Sequence, residues 1–428
     1  DRLEQPMLRD GDVLRPVSWE LALEAAAAGI AGAVENGDNE LGAWAGPTST
    51  VEEGYLLQRV LRHLGSDNLD HRLRRRDFRL QERDPAYPWL GMSLVDLEQA
   101  DVIVAVGANL RREAPLIAHR VRKAALRGAR VIFVNPGRYE YLHPVAGYLE
   151  TGVDLVGGLR RLLSDSPDTE VSAILGQLRG AERAVVLLGQ MAGRHPRLAD
   201  LRQAAGELAR QYSARIGYVS EGANSAGLAL AGVLPHRGPG GVPVAKAGRN
   251  LVEMLTQPLA GLLLLNIEPE HDLAEGGAAV TALQSAGFVV ALTPYLSPAL
   301  AAHADVVLPV GTFAETAGTF VNCEGRWQSF SGVATPVGAS RPAWKVLRVL
   351  GNLLNIPDFD YNSAEEISAA VQAVSAAVQP DNTVTATAIP PAATAVDIVV
   401  GDLEVPMYGA DGIVRRAAAL QMTREARG

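Results

Sequence analysis

Two carboxylates, an amide and a guanidinium lie close together between residues 311 and 328. They belong to Glu315, Asn322, Glu324 and Arg326. Paired carboxylates can serve as general acid and base when their pKa values are pushed apart. A neighbouring guanidinium and backbone donors instead keep both carboxylates ionised. We therefore expect no catalytic residue here. We predict that this loop ties the last strand of a sheet to the following domain through charge-assisted hydrogen bonds.

A second concentration of charge consists of five arginines, namely Arg72, Arg74, Arg75, Arg76 and Arg79. Such a run is typical of a solvated or structural role, and the other interpretations are an ion-pair hub between domains and a docking surface. The chain has a single cysteine, so we expect neither a disulfide nor a cysteine-ligated iron–sulfur cluster built from this chain alone. The eight histidines show no metal-binding spacing.

Small and polar residues follow several apolar runs, in the places where a strand would end. Six of them are candidate ligand-binding positions: Gly107, Asn109, Gly189, Gly222, Asn224 and Asn266. Backbone N–H groups in such loops can hold a phosphate. The alternative is an ordinary connection between a strand and a helix, which is favoured because the chain has no G-x-G-x-x-G motif.

Composition sets limits on the class of protein. The chain has 428 residues, of which 48% are hydrophobic and 20% charged, and its formal net charge is −9. This length predicts two or three domains, and the negative charge argues against a nucleic-acid partner. No apolar run is long enough for a transmembrane helix, and we find no signal peptide. Because the sequence opens at Asp1 without a methionine, we expect a fragment of a longer polypeptide.

Apolar runs of strand length alternate with helical patterns along most of the chain. This alternation predicts an α/β fold with two Rossmann-like parallel-sheet domains covered on both faces. A hairpin is predicted at residues 7–17, a short helix at 364–378, and an extended linker rich in Thr, Ala and Pro at 379–395. The strands are predicted at 41–45, 101–106, 129–134, 184–188, 214–219, 261–265, 287–292 and 304–309.

Three segments resemble a known family. Residues 304–309 read A-D-V-V-L-P, and residues 315–328 match E-x-x-G-T-x-x-N-x-E-G-R-x-Q. This pattern resembles the molybdopterin oxidoreductase superfamily, and most closely its degenerate member, the large G subunit of the peripheral arm of respiratory complex I. Residues 68–74 are similar to the N-x-D-H-x-x-R element of the same superfamily. Where catalytic members go on to supply a metal ligand, this sequence has Arg76, whose guanidinium cannot ligate a metal.

The resemblance implies a fold of the formate dehydrogenase and DMSO reductase type with discontinuous domains. A short β-containing base is expected at residues 1–35 and again at 311–360. The remaining ranges are a first Rossmann-like domain at 36–75 plus 236–310, an inserted second one at 76–235, and a C-terminal linker and tail at 361–428.

The resemblance also implies a function. The leading hypothesis is a structural, non-catalytic region of the complex I G subunit, whose missing N-terminal part would carry iron–sulfur clusters for electron transfer from NADH to quinone. No cofactor is then expected in this chain, and molybdopterin least of all. The expected partners are other peripheral-arm subunits on the cytoplasmic side of the inner membrane. The alternatives are a fragment of a catalytic molybdopterin guanine dinucleotide enzyme and a redox-inert scaffold.

Overall fold

A computed structural model describes residues 2–35, 40–164, 168–391 and 398–427. The strands of these residues are β1 Met7–Asp10, β2 Val13–Pro16, β3 Leu41–Ala45, β4 Leu69–Asp70, β5 Val102–Val106, β6 Arg130–Asn135, β7 Gly147–Glu150, β8 Ala184–Leu188, β9 Arg215–Tyr218, β10 Gly261–Leu265, β11 Val289–Thr293, β12 Val306–Pro309, β13 Gly318–Val321 and β14 Trp327–Phe330.

The α-helices are α1 Trp19–Glu35, α2 Val51–His63, α3 Leu94–Glu98, α4 Leu110–Glu113, α5 Pro115–Leu126, α6 Leu155–Leu163, α7 Thr169–Arg179, α8 Gln190–Arg194, α9 Leu198–Gln211, α10 Ser225–Ala231, α11 Leu251–Thr256, α12 Pro269–Asp272, α13 Gly276–Ser285, α14 Pro298–His303, α15 Ala343–Leu353, α16 Ala364–Ser375, α17 Val400–Leu403, α18 Gly412–Arg415, α19 Ala418–Gln421 and α20 Arg424–Arg427. Single 3₁₀ turns lie at Gln81–Arg83, Pro239–Gly241 and Phe313–Glu315.

The chain divides into two compact units. The first unit comprises Asp1–Arg74, Gly222–Asn322 and Arg326–Gln379. The second unit comprises Arg75–Glu221, Cys323–Gly325 and Pro380–Gly428.

The first unit contains a seven-stranded sheet in the order β2-β1-β12-β11-β10-β3-β4. Strands β12, β11, β10, β3 and β4 are parallel, and the hairpin of β1 and β2 extends the sheet antiparallel to β12. Every residue of β3, β10, β11 and β12 is buried. This is why these strands read as continuous apolar runs rather than as alternating ones.

The second unit contains a five-stranded, wholly parallel sheet in the order β7-β6-β5-β8-β9. Successive residues of β5 point to opposite faces of the sheet and pack into different cores. Val104 belongs to one apolar cluster and Ile103 to another. The loops that follow β5, β6 and β8 all leave from the carboxyl edge of this sheet, because its strands run in one direction.

The prediction of an α/β fold with two parallel-sheet domains is therefore confirmed. The predicted hairpin at residues 7–17 turns at Gly11, whose φ of +61° suits a residue without a side chain. Helix α2 begins after Thr50, whose side chain accepts a hydrogen bond from the Glu53 N–H as an N-cap. None of the described helices is both long and apolar enough to cross a membrane.

The C-terminal residues of the second unit are held against its core. Asn382 is buried, and its amide donates to the carbonyl oxygens of Trp89 (2.9 Å) and Ile216 (2.8 Å). Residues 398–427, the C-terminal segment, form four one-turn helices that the sequence did not predict. The predicted linker at 379–395 has no regular element through residue 391, and residues 392–395 lie outside the described part of the chain.

Candidate functional site

At the carboxyl edge of the five-stranded sheet, the loops that follow β5 and β8 pack closely on each other. Gly107 has a φ of +55°, and its carbonyl oxygen accepts the Ala192 N–H at 3.1 Å. A side chain at Gly189 would come within 2.4 Å of that same carbonyl oxygen. Both glycines are therefore required by contacts between the two loops, since any Cβ would force them apart.

The carboxylate of Glu113 lies between these loops. Its Oε1 accepts the N–H of Asn109 and its Oε2 the N–H of Gln190, both at 3.0 Å. The backbone of Met191 also lies close to this carboxylate. Burial raises the pKa of Glu113, and these donors together with nearby Arg194 oppose the rise.

Three further N–H groups of these loops are also bonded within the protein. Gly107 donates to the Val134 carbonyl (2.8 Å) and Gly189 to the Val106 carbonyl (2.9 Å). The Ala108 N–H donates to the side-chain oxygen of buried Asn135 at 2.8 Å. These three N–H groups, like those of Asn109 and Gln190, therefore already have protein acceptors.

The C-terminal segment lies over the same edge of the second unit. Arg194 donates to the Leu403 carbonyl at 3.1 Å, and the Tyr139 hydroxyl hydrogen-bonds the Glu404 carboxylate. Arg76 donates to the Asp402 carbonyl at 2.9 Å. Arg76, which stands where a metal ligand was expected, thus donates a hydrogen bond to a backbone carbonyl oxygen.

A cavity of about 580 Å³ borders Asn109 in the second unit. The C-terminal segment supplies part of its wall, and arginines dominate the charged lining. The lining residues other than Asn109 are Arg111, Arg112, Arg138, Tyr139, Glu140, Met407, Tyr408, Arg424 and Glu425.

In the first unit, the loops that follow β3 and β10 contact each other at Ser49. Asn266 has a left-handed φ of +53°, which asparagine tolerates better than most residues. Its amide donates to the Ser49 Oγ (3.1 Å) and to Glu53 (3.0 Å). Asn224 is fully buried and donates to the Ser49 carbonyl at 2.7 Å. Gly222 fits closely here as well, since a Cβ at this residue would come within 2.6 Å of Pro47.

Among the residues around Ser49, Glu53 has a strongly shifted pKa. Burial raises its pKa to about 7, and the neighbouring Glu52 carboxylate adds to the rise. Hydrogen bonds from the Thr50 N–H and the Asn266 amide oppose it. The carboxylate completes a capping box with Thr50 at the start of α2, which is a structural role.

The arginine run is bound to aspartates within each unit. In the first unit Arg72 pairs with Asp70 (2.7 Å) and Arg74 lies 3.9 Å from Asp272. In the second unit, Arg75 pairs with Asp84 and Arg79 with Asp77 and Asp200. Four of the five arginines are therefore partly buried and paired with aspartates, which favours a structural role for them over a solvated face.

The loop at residues 311–328 has partners that the sequence did not reveal. Glu315 accepts a bidentate pair of hydrogen bonds from Arg2, at 2.9 and 2.6 Å. Burial raises the pKa of Glu315, but the Arg2 hydrogen bonds and the Thr312 N–H outweigh it and lower the value. Asn322 accepts the backbone N–H of exposed Arg326 at 3.0 Å.

The turn between β13 and β14 belongs to the second unit. There, Glu324 accepts the Leu94 N–H at 2.8 Å, close to the start of α3. Burial raises the pKa of the neighbouring Cys323 to about 11, so its thiol stays protonated at neutral pH. A protonated thiol is a poor nucleophile.

The sequence pointed to the strand-end loops as candidate sites. It did not reveal which protein groups accept hydrogen bonds from these loops. Gly107, Asn109 and Gly189 lie together in the second unit, and Gly222, Asn224 and Asn266 lie together in the first. Glu113 follows Asn109 by four residues, and this helical spacing was the available signal for their hydrogen bond. Arg2 and the C-terminal segment gave no comparable signal, because their partners are distant in sequence.

No group of three or more His, Cys, Asp or Glu side chains suited to holding a metal ion occurs within residues 2–35, 40–164, 168–391 and 398–427. The position expected for a metal ligand is occupied by Arg76, whose guanidinium cannot ligate a metal.

Comparisons with known proteins agree with the fold. A family model described as "Molybdopterin oxidoreductase" matches residues 2–353. The chain is 32% identical over 367 residues to the G subunit of NADH-quinone oxidoreductase from Mycobacterium bovis, covering 77% of this chain and 43% of that relative.

It is 26% identical to the F420-dependent formate dehydrogenase subunit alpha of Methanocaldococcus jannaschii, with coverage of 86% and 64%. Acetylene hydratase from Pelobacter acetylenicus has a similar fold, with a TM-score of 0.57 at 16% identity over 86% of this chain and 63% of that one. The chain thus spans less than half of the mycobacterial relative.

Proposed function

Because the chain belongs to the molybdopterin oxidoreductase family, we propose that it is the structural, non-catalytic region of a G subunit of NADH-quinone oxidoreductase. In this proposal the parent chain carries the iron–sulfur clusters of electron transfer, and this region helps to assemble the peripheral arm. Its partners are other subunits of that arm, on the cytoplasmic side of the inner membrane. The discontinuous domain ranges predicted from the sequence are part of the same proposal.

The observation that carries this proposal is that several N–H groups of the strand-end loops in the second unit already donate to protein acceptors. A dinucleotide cofactor would need free N–H groups at these loops. The Asn109 and Gln190 N–H groups instead meet the Glu113 carboxylate at 3.0 Å, and a phosphate placed there would face that negative charge. The residues present therefore do not fit the family's cofactor at this edge, and Gly107, Asn109 and Gly189 are vestigial in this account.

The second support comes from the expected metal position. Arg76 donates to the Asp402 carbonyl, and its permanent charge disfavours a cation at that place. In the first unit, the amides of Asn224 and Asn266 donate to Ser49, so these two candidates also act within the protein. Glu315, Asn322, Glu324 and Arg326 then form a structural loop without a catalytic role.

Metal and pterin content tests this proposal directly. The chain should be purified from cells that make molybdopterin and are supplied with molybdate. We expect far less than stoichiometric molybdenum, tungsten or pterin. A value near one metal and one pterin per chain would favour the competing function, a fragment of a catalytic enzyme resembling formate dehydrogenase.

A further inference from the structure

The contacts of Glu113 point to a role beyond the proposed function. In open α/β sheets, ligands bind at the carboxyl edge, where loop N–H groups face an anion. Here the loops after β5 and β8 converge on one internal carboxylate through the N–H groups of Asn109 and Gln190. Gln190 lies 77 positions from Glu113 along the chain, so the carboxylate bridges two loops that are distant in sequence.

We propose that Glu113 is an internal anion that takes the place of an anionic ligand and holds these two loops together. Removing its carboxylate leaves the N–H groups of Asn109 and Gln190 without their acceptor and creates a site for a small carboxylate such as acetate or formate. These ions match the Glu113 carboxylate in charge and in the arrangement of their two oxygens. A buried N–H group without an acceptor is costly, which supplies the driving force for binding.

The surroundings favour an anion at this place. Arg194 lies near the carboxylate, as do the hydroxyls of Tyr139 and Tyr141. The cavity that borders Asn109 is lined by four arginines and two glutamates, as described above. Anions are therefore attracted to the immediate neighbourhood of the loops.

Chemical rescue of Glu113→Ala tests the proposal. We expect its Tm to fall by roughly 3–12 °C, since charge-assisted hydrogen bonds are lost. Sodium acetate or formate should restore at least half of that loss at neutral pH, compared with sodium chloride at equal ionic strength. The matched control is Glu140→Ala, which removes an exposed carboxylate from the lining of the same cavity.

The control variant and the wild type should show no acetate effect beyond that of chloride. An equal response to acetate and chloride in Glu113→Ala would overturn the proposal, as would the same acetate response in Glu140→Ala. Neither result bears on metal content or on assembly, so this inference and the proposed function can fail separately.

A measurement on the unmutated chain covers the case in which Glu113→Ala does not fold. The amide signals of Asn109 and Gln190 should shift together in a pH titration followed by NMR, because one carboxylate accepts both N–H groups. Arg194, Tyr139 and Tyr141 face the same group and keep their charge state while the carboxylate titrates, because burial raises the pKa of both tyrosines and arginine stays protonated. Two unrelated titration curves would contradict the shared acceptor.

Discussion

At the scale of single residues, the clearest consequence of burial concerns Glu53. Its pKa rises from the ordinary value of 4.5 to about 7 in the folded chain, because burial disfavours the charged form. The folded state therefore holds a proton that the unfolded state releases between these two pH values. Wild-type stability contributed by this group is highest below about pH 4.5 and is lost as the pH rises through about 7.

The variant Glu53→Gln removes this titration while keeping an oxygen acceptor for Thr50 and Asn266. We expect its stability relative to wild type to increase from pH 5 to pH 8 by up to about 3 kcal/mol. Urea unfolding across this range measures the difference. The exposed Glu24→Gln variant is the control and should follow wild type. A difference that stays constant with pH would show that Glu53 is ionised throughout.

The residue types of the loop at 311–328 indicated that its charged side chains are paired. They did not reveal which residues the partners are. The carboxylate of Glu315 was expected to pair with a guanidinium in its own loop, and the described ion pair joins it to Arg2 at 2.6 Å. Spacing along the chain carries information only about neighbours within a helix or a turn. A pair separated by 313 positions depends on the whole topology of the sheet.

At the scale of elements, prediction succeeded where a local pattern decides the structure. The predicted strands at residues 41–45 and 261–265 agree with β3 and β10. Continuous apolar runs suffice to indicate buried parallel strands. The one-turn helices of the C-terminal segment were not predicted, because a single turn is too short to show an apolar period in the sequence.

Asn382 tests whether the linker is anchored or merely extended. The variant Asn382→Ala removes two buried hydrogen bonds to the backbone of residues 89 and 216. We expect a loss of roughly 1–3 kcal/mol in the free energy of unfolding. We also expect faster amide exchange in residues 380–391.

The control is Asn352→Ala, which removes an exposed amide with a long contact of 3.4 Å to Asp360. It should leave both quantities near their wild-type values. Unchanged exchange in residues 380–391 of Asn382→Ala would mean that other contacts hold the linker.

At the scale of the whole molecule, we propose that this chain contributes to the assembly of the complex and carries no catalytic centre. The Arg2–Glu315 pair is suited to test this, since its side chains are 21% and 5% exposed and it joins the start of the chain to the loop at residues 311–328. Arg15 and Asp10 form a comparable pair, but their side chains are 64% and 72% exposed. Exposed pairs of this kind contribute little to stability.

The most direct test of the central claim is NADH:quinone turnover per assembled complex in a parent complex that carries Arg2→Ala. A loss of roughly 1–3 kcal/mol in this region should reduce the amount of assembled complex, while turnover per complex stays near that of wild type. Arg15→Ala, the control, should change neither quantity. Normal abundance together with a loss of turnover by orders of magnitude would contradict the structural role.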